Sequence, residues 1–338
     1  MKKPLISLVA LTASVISTGA FATSNIENPL YMPKANDTYV KAGAAMMAKT
    51  VEGTQATKRK HNDGNLEFPV WRFTGDLGYG ITDRWDIHGH FGYTKDGEID
   101  RKGMHRGRIG TMYRVLTENA PLILDLYADA YLSGVTPMKG TVKPYGSEFA
   151  FDFDNYSNGR WGAIVGTRFG KTWDKFTLGA HVEYLQTFGN HNNKIKIDPA
   201  NNFAYFLPEE ISVDLRSTHE WTFGFDAMYQ ATQRWSFGGG FEFIEHYNNG
   251  VKSIHTQMPN KTMGPYSTET VVANLLEKTN NMEDGWDEYV FKINTAYQFT
   301  DYFQLATFLE YTYDKAQPMS QNATDFKMEW GMRANLKF

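Results

Sequence analysis

The stretch that decides the fold is Phe326-Lys327-Met328-Glu329-Trp330-Gly331-Met332-Arg333-Ala334-Asn335-Leu336-Lys337-Phe338. Phe326, Met328, Trp330, Met332, Ala334, Leu336 and Phe338 alternate with Lys327, Glu329, Gly331, Arg333, Asn335 and Lys337, so every second residue is apolar and the rest are mostly charged or polar. At about 100° per residue these apolar positions would be smeared around a helix. Only an extended strand, with side chains pointing to opposite faces in turn, sorts them into one greasy and one ionic side.

The same period of two recurs upstream. Trp85, Ile87, Phe91 and Tyr93 oppose Asp86, His88 and His90; Phe176, Leu178, Ala180, Val182 and Tyr184 oppose Thr177, His181 and Glu183. Trp221, Phe223, Phe225 and Tyr229 oppose Glu220, Thr222 and Asp226, and Phe303, Leu305 and Leu309 oppose Gln304 and Glu310. Such segments give about twelve strands, near 38–50, 66–81, 85–95, 105–116, 122–133, 160–172, 175–188, 217–231, 235–248, 286–299, 302–314 and 325–338. In the first of them Ala42, Ala44, Met46 and Ala48 carry the apolar face without a large aromatic, and a slip of one residue would exchange its faces.

Connections alternate too. Short turns fall at 82–84, 117–121, 172–174, 232–234 and 300–301, while long polar connections occupy 52–64, 96–104, 134–159, 189–216, 249–285 and 315–324. An up-and-down antiparallel barrel with one end in the periplasm and the other facing outward produces this asymmetry. Trp85, Phe176, Trp235 and Phe303 lie just after short turns and Tyr79, Tyr113, Phe169, Tyr229 and Tyr297 just before them, which builds an aromatic ring at headgroup depth. A soluble sandwich shares the alternation with the faces reversed, and is disfavoured by the turn asymmetry, the aromatic bands and the strand lengths.

The composition agrees. With 23 Phe, 19 Tyr and 8 Trp in 338 residues the chain is no disordered segment, and without cysteine it holds no disulfide, thiolate metal site or cysteine nucleophile. A net charge of −4 with no basic block gives no footprint for nucleic acid. Lys2 and Lys3, the apolar run Leu5 to Ile16 and Ala20-Phe21-Ala22 read as a secretory signal peptide cut after Ala22. The expected organisation is a signal peptide (1–22), an N-terminal periplasmic segment (23–36) and a transmembrane barrel (37–338), with no apolar run downstream long enough for a spanning helix.

Over residues 37–338 the chain resembles the bacterial outer-membrane β-barrels of the porin-like superfamily. Its Phe338, with Leu336, Met332 and Trp330 behind it, is similar to that superfamily's assembly signal, although Ala334 is a weak member. The resemblance implies export, integral residence in the outer membrane among lipid and lipopolysaccharide, and insertion by the barrel-assembly machinery. It identifies no substrate, and nothing in the sequence fixes an oligomeric state.

Twelve strands about 4.8 Å apart and tilted about 40° close a backbone cylinder roughly 24 Å across, wide enough for a small hydrophilic solute once inward side chains take their share. Those side chains are expected to form two arcs. Arg72, Arg106, Arg108, Arg114, Arg160, Arg168 and Arg333, with Lys327, make a basic arc, and Glu183, Glu220, Asp226, Glu242 and Glu310 an acidic one. A wall of each sign would lay a transverse field across a narrow pore and set its selectivity, an arrangement that resembles the constriction of general porins; Asp76, Asp125, Asp129 and Lys292 break the division. Pairing of these charges across a closed interior is the competing expectation.

The function expected is a narrow porin or channel, without cofactor or metal. The alternatives are a closed barrel acting as an outer-membrane enzyme of lipase or protease type, or a surface binding protein working through its loops. Asp86, His88 and His90 share one inward strand face about 6.6 Å apart, too few ligands for a complete metal site. Thr268 to Lys278 reads as a short amphipathic helix with Val271, Val272, Leu275 and Leu276 on one side, folded into the mouth or lying on its rim. Tyr145, Phe149, Phe151, Phe203, Tyr205 and Phe206 are strand extensions above the bilayer or loop contact residues.

Overall fold

The computed structural model describes residues 25–50, 67–96, 102–133, 139–145, 148–153, 159–189, 191, 193–197, 205–247, 251–256, 261–263, 266–281, 286–316 and 326–338. The signal-peptide reading and Phe203 lie outside them. In chain order the wall starts with β1 (Thr38–Thr50), β2 (Glu67–Thr82), β3 (Trp85–Asp96), β4 (Lys102–Leu116) and β5 (Ile123–Leu132). The next long connection carries a hairpin, β6 (Lys139–Tyr145) and β7 (Glu148–Phe153), before β8 (Trp161–Trp173) and β9 (Phe176–Thr187) return to the wall. Then come β10 (Asn193–Ile197) and β11 (Glu210–Leu215), followed by wall strands β12 (His219–Gln230) and β13 (Trp235–Tyr247). The last long excursion holds β14 (Val251–His255), β15 (Thr262–Met263), β16 (Tyr266–Ser267) and α1 (Thr268–Asn281). The wall finishes with β17 (Trp286–Thr300), β18 (Phe303–Ala316) and β19 (Phe326–Lys337).

Twelve of these strands close into one barrel in the order β1-β19-β18-β17-β13-β12-β9-β8-β5-β4-β3-β2. All its pairs are antiparallel, and the closing pair sets Ala42 opposite Ala334, Ala44 opposite Met332 and Met46 opposite Trp330. The first strand therefore keeps the expected register. Ala42 and Ala44 are exposed on the outside while Ala45 and Met47 are buried within.

The greasy side faces outward all round the wall. Trp85, Ile87, Phe91, Phe223, Phe225 and Met332 are exposed, whereas Asp86, Thr177, Gln304 and Asn335, on the opposite faces, are almost wholly buried. A soluble protein would bury the first set and wet the second, so hydrocarbon is the solvent this surface matches. The ring by the short turns is present: Trp85, Phe176, Trp235, Tyr113 and Tyr229 are exposed, and Trp235 meets Tyr297 at 4.8 Å between centroids.

Two features go beyond the sequence reading. First, the connections expected only as polar loops build a second sheet, β14-β11-β10-β6-β7, in which Lys194 of β10 pairs in parallel with Lys139 of β6. Ile195, Ile197, Ile211, Val213, Leu215 and Val251 of that sheet join Phe206, Leu207, Val271 and Leu275 in a core of their own. The helix thus runs from Thr268 as expected, with the Ser267 hydroxyl capping it by accepting the Thr270 N–H at 3.1 Å, and its apolar face is spent on the outer sheet. Phe206 belongs to this core, Tyr205 is exposed, and Tyr145, Phe149 and Phe151 are strand residues of β6 and β7.

Second, the segment expected on the periplasmic side is folded into the barrel's short-turn mouth. Residues 25–37 form two consecutive Asx turns: the side chains of Asn25 and Asn28 accept the N–H of Glu27 at 3.0 Å and of Leu30 at 2.8 Å. Pro29 and Pro33 fix the chain between them. Ile26, Leu30 and Met32 are buried against the wall. Where the segment leaves the mouth it passes directly over Gly80, at which a Cβ would stand 2.0 Å from the Lys34 carbonyl oxygen, so only glycine fits.

Candidate functional site: a charged chamber inside the barrel

The interior encloses a chamber of about 680 Å³, floored by Ile26, Glu27, Asn28, Pro29, Tyr31 and Pro33 of the N-terminal segment. The floor is fastened to the wall by polar ends of strands. Gln304 Nε2 donates to Asn25 Oδ1 at 2.8 Å, Asn335 Nδ2 to Glu27 Oε1 at 2.8 Å, and Asn25 Nδ2 to Gln230 Oε1 at 2.9 Å. Lys41 Nζ donates to the Ile26 carbonyl at 3.2 Å. Period-two alternation gives no hint of this floor; the Asn-Pro and Pro-x-Ala-Asn turn chemistry of 25–37 was the only signal.

Of the expected basic arc, Arg72, Arg106, Arg108, Arg168 and Arg333 line the chamber, as do all five acidic-arc residues, Glu183, Glu220, Asp226, Glu242 and Glu310. Arg114 and Arg160 do not. Arg114 is buried beneath the floor, its Nε donating to Asp125 Oδ1 at 2.8 Å and its Nη2 to the Leu30 carbonyl at 2.6 Å. Arg160 is buried at the outer end of the wall, where its backbone exchanges hydrogen bonds with Ser133.

The charges are not divided into two walls. Arg72 pairs with Glu329 at 2.8 Å, and Arg108 with Glu183 at 2.9 Å and Asp129 at 3.5 Å. Lys292 holds Glu242, with His181 3.5 Å away from the same carboxylate. Asp125 takes Arg168 at 2.5 Å from one side and Arg114 from the other. The reason is desolvation: charge in a narrow, partly dry interior is tolerated only with an opposite partner at hand, so signs intermix at the scale of single side chains.

The histidines are absorbed in the same way. His88 sits between Asp86 at 2.8 Å and Asp129 at 3.1 Å, and His90 Nδ1 is 2.6 Å from Asp76. His246 lies 2.7 Å from Glu220 and 3.5 Å from Glu288. Among the described residues no group of three or more His, Asp and Glu has the geometry to hold a metal ion. The chamber as a whole is lined by ten carboxylates, seven Lys or Arg side chains and three histidines.

A second polar cluster lies on the outer sheet. His255 Nε2 is 2.8 Å from Asp214 Oδ2 and 3.1 Å from Ser253 Oγ, and His191 Nδ1 is 3.0 Å from Asp214 Oδ1. Serine and aspartate here meet the same imidazole nitrogen. A relay needs one nitrogen for each, so the cluster is no nucleophile–base–carboxylate line. Burial works to raise the Asp214 pKa, but the hydrogen bonds from His255, His191 and Ser253 outweigh it and hold the carboxyl down at about 2.

A closed antiparallel barrel, apolar outside and ionic within, defines an integral outer-membrane β-barrel protein of porin-like architecture. No protein-family model and no curated protein matches the chain. Among solved structures it is similar to the COG4313 outer membrane channel from Pseudomonas putida F1, with a TM-score of 0.55 at 12% identity over 91% of this chain and 97% of that one. The NanC porin gives 0.42 at 8% identity, covering 86% and 98%. The transport unit of the autotransporter AIDA-I from Escherichia coli gives 0.44 at 10%, covering 89% and 90%. The first of these likenesses is one of fold.

Proposed function

We propose that the barrel is a narrow channel for small hydrophilic solutes, its path running through the charged chamber and closed at the periplasmic mouth by residues 25–37. The observation that carries this reading is the chamber itself: a barrel serving only as an anchor needs no space of about 680 Å³ lined by ionisable groups. The fold-level likeness to a protein described as an outer membrane channel supports it. Selectivity follows the lining, whose carboxylates outnumber its Lys and Arg side chains by ten to seven, which favours cations over anions where the histidines do not make up the difference. Small hydrophilic solutes, and the assembly machinery that would read Trp330, Met332, Leu336 and Phe338, are the partners this reading requires.

Planar-bilayer recording of the purified protein tests it. Discrete ohmic steps, enlarged when residues 25–36 are deleted, are expected. A barrel that stays silent in both forms would end the channel reading and return attention to the enzyme and surface-binding alternatives.

A further inference from the structure

Two side chains in the chamber stand apart from its paired network. Among the described residues lining it, Arg106 is the one guanidinium that makes neither a hydrogen bond nor an ion pair, and Glu310 is a carboxylate in the same condition. Neighbouring charges are already committed. Glu220 and Glu288 engage His246, Lys292 engages Glu242, Arg108 engages Glu183, and Arg72 engages Glu329. Arg106 and Glu310 come from β4 and β18, five strands apart around a wall of twelve, and are near enough to act on one another electrostatically without touching.

The backbone shows that Arg106 is placed at a cost. Its φ is 52°, in the left-handed region where a glycine would ordinarily sit, at an irregularity where the register between β3 and β4 shifts between His90 and Gly92. Inward parity runs through Arg114, Met112 and Arg108; the bulge lies between Arg108 and His105 and contains Arg106, and beyond it Met104 is exposed on the outer face. This strained bulge residue is among those that line the chamber.

We infer that Arg106 and Glu310 form the two poles of a binding site for a small zwitterion, an ammonium carboxylate of the amino-acid class, the ligand's carboxylate on Arg106 and its ammonium on Glu310. A simple anion is disfavoured because Glu220, Glu288 and Glu310 all act on Arg106. A simple cation at Glu310 would face Arg106 and Lys292. A molecule carrying both charges satisfies both groups and leaves the net charge of the chamber unchanged. This rests on the chamber being a solute path, and it names the class of solute.

The test uses the full-length barrel and β-alanine as probe, with propionate and propylammonium as single-charge controls. Calorimetry on the detergent-solubilised protein reads binding, and block of ion current in planar bilayers reads occupancy of the path. Wild type is expected to bind β-alanine better than either control. Arg106→Gln and Glu310→Gln should each weaken binding and block about tenfold, the effect of one lost charge-assisted hydrogen bond, while Arg106→Lys retains part of both. Heat-modifiable migration on gels confirms that each variant is folded, and if Arg106→Gln is not, Glu310→Gln and Arg106→Lys decide the matter. Equal affinity for the three probes, or unchanged affinity in Glu310→Gln, overturns the site. Binding of β-alanine by a barrel that passes no current would leave the site standing and overturn the channel reading instead.

Discussion

Arg114 reaches from the wall to the carbonyl of Leu30 at 2.6 Å, so a residue expected to line a pore instead holds down the N-terminal segment that floors the chamber. Its neighbour across β5, Arg168, does the same for the Tyr31 carbonyl at 3.0 Å, and both share the fully buried Asp125. Replacing both arginines by Gln should free the segment and enlarge single-channel conductance. It also strands a buried carboxylate, a loss of barrel stability on the order of 3 kcal/mol. The triple variant Arg114→Gln/Arg168→Gln/Asp125→Asn separates the effects, because it removes the stranded carboxylate and keeps only the two lost tethers. Conductance unchanged in both variants would show that the segment does not obstruct the path.

If the barrel conducts as proposed, its selectivity follows the lining. Arg108→Gln removes one of the seven cations facing ten carboxylates, so the reversal potential in a KCl gradient should move toward the cation limit. Arg160→Gln, buried at the outer end and outside the lining, should leave it where it was. Identical shifts in the two would mean that the ion path does not follow the chamber.

The outer sheet should be acid-sensitive. Asp214 is held at about 2, below its ordinary value of 3.8, so the stability it lends is complete above about pH 4 and is lost as pH falls toward 2. The chain has no cysteine, so Lys252→Cys on β14 gives a unique fluorophore position. Anisotropy there should drop between pH 4 and pH 2 in this background, and an added Asp214→Asn should flatten the transition. Superimposable pH profiles would dismiss the linkage.

Leu275 is fully buried in the core of the outer sheet, away from the barrel wall. Leu275→Ala should cost about 2–5 kcal/mol of local stability, lowering the denaturant midpoint read by the same fluorophore while the barrel keeps its heat-modifiable migration. Joint unfolding of both parts would show that the outer sheet and the wall are one cooperative unit.

The barrel was legible because hydrocarbon outside and water or ions inside impose a period of two on every wall strand, and strands such as β1 and β13 end within a residue of the expected limits. Inwardness was legible too, since parity assigns Arg108, Glu183 and Glu242 to the lumen without knowledge of their neighbours. The outer sheet was half legible: Ile195 and Ile197, like Ile211, Val213 and Leu215, alternate with polar residues, but nothing local tells β10 that its partner is β6, some fifty residues away.

What the sequence by itself determined is the class of wall and the face each side chain takes, because both follow from the geometry of one extended strand against two solvents. Only the closed tertiary structure decided the rest: which charges neutralise one another, that Arg114 tethers where it was expected to conduct, that residues 25–37 fill a mouth, and that Arg106 and Glu310 are left over. Those outcomes depend on distances across the lumen between strands remote in the chain, and the energy of a charge in a narrow interior is set by those distances.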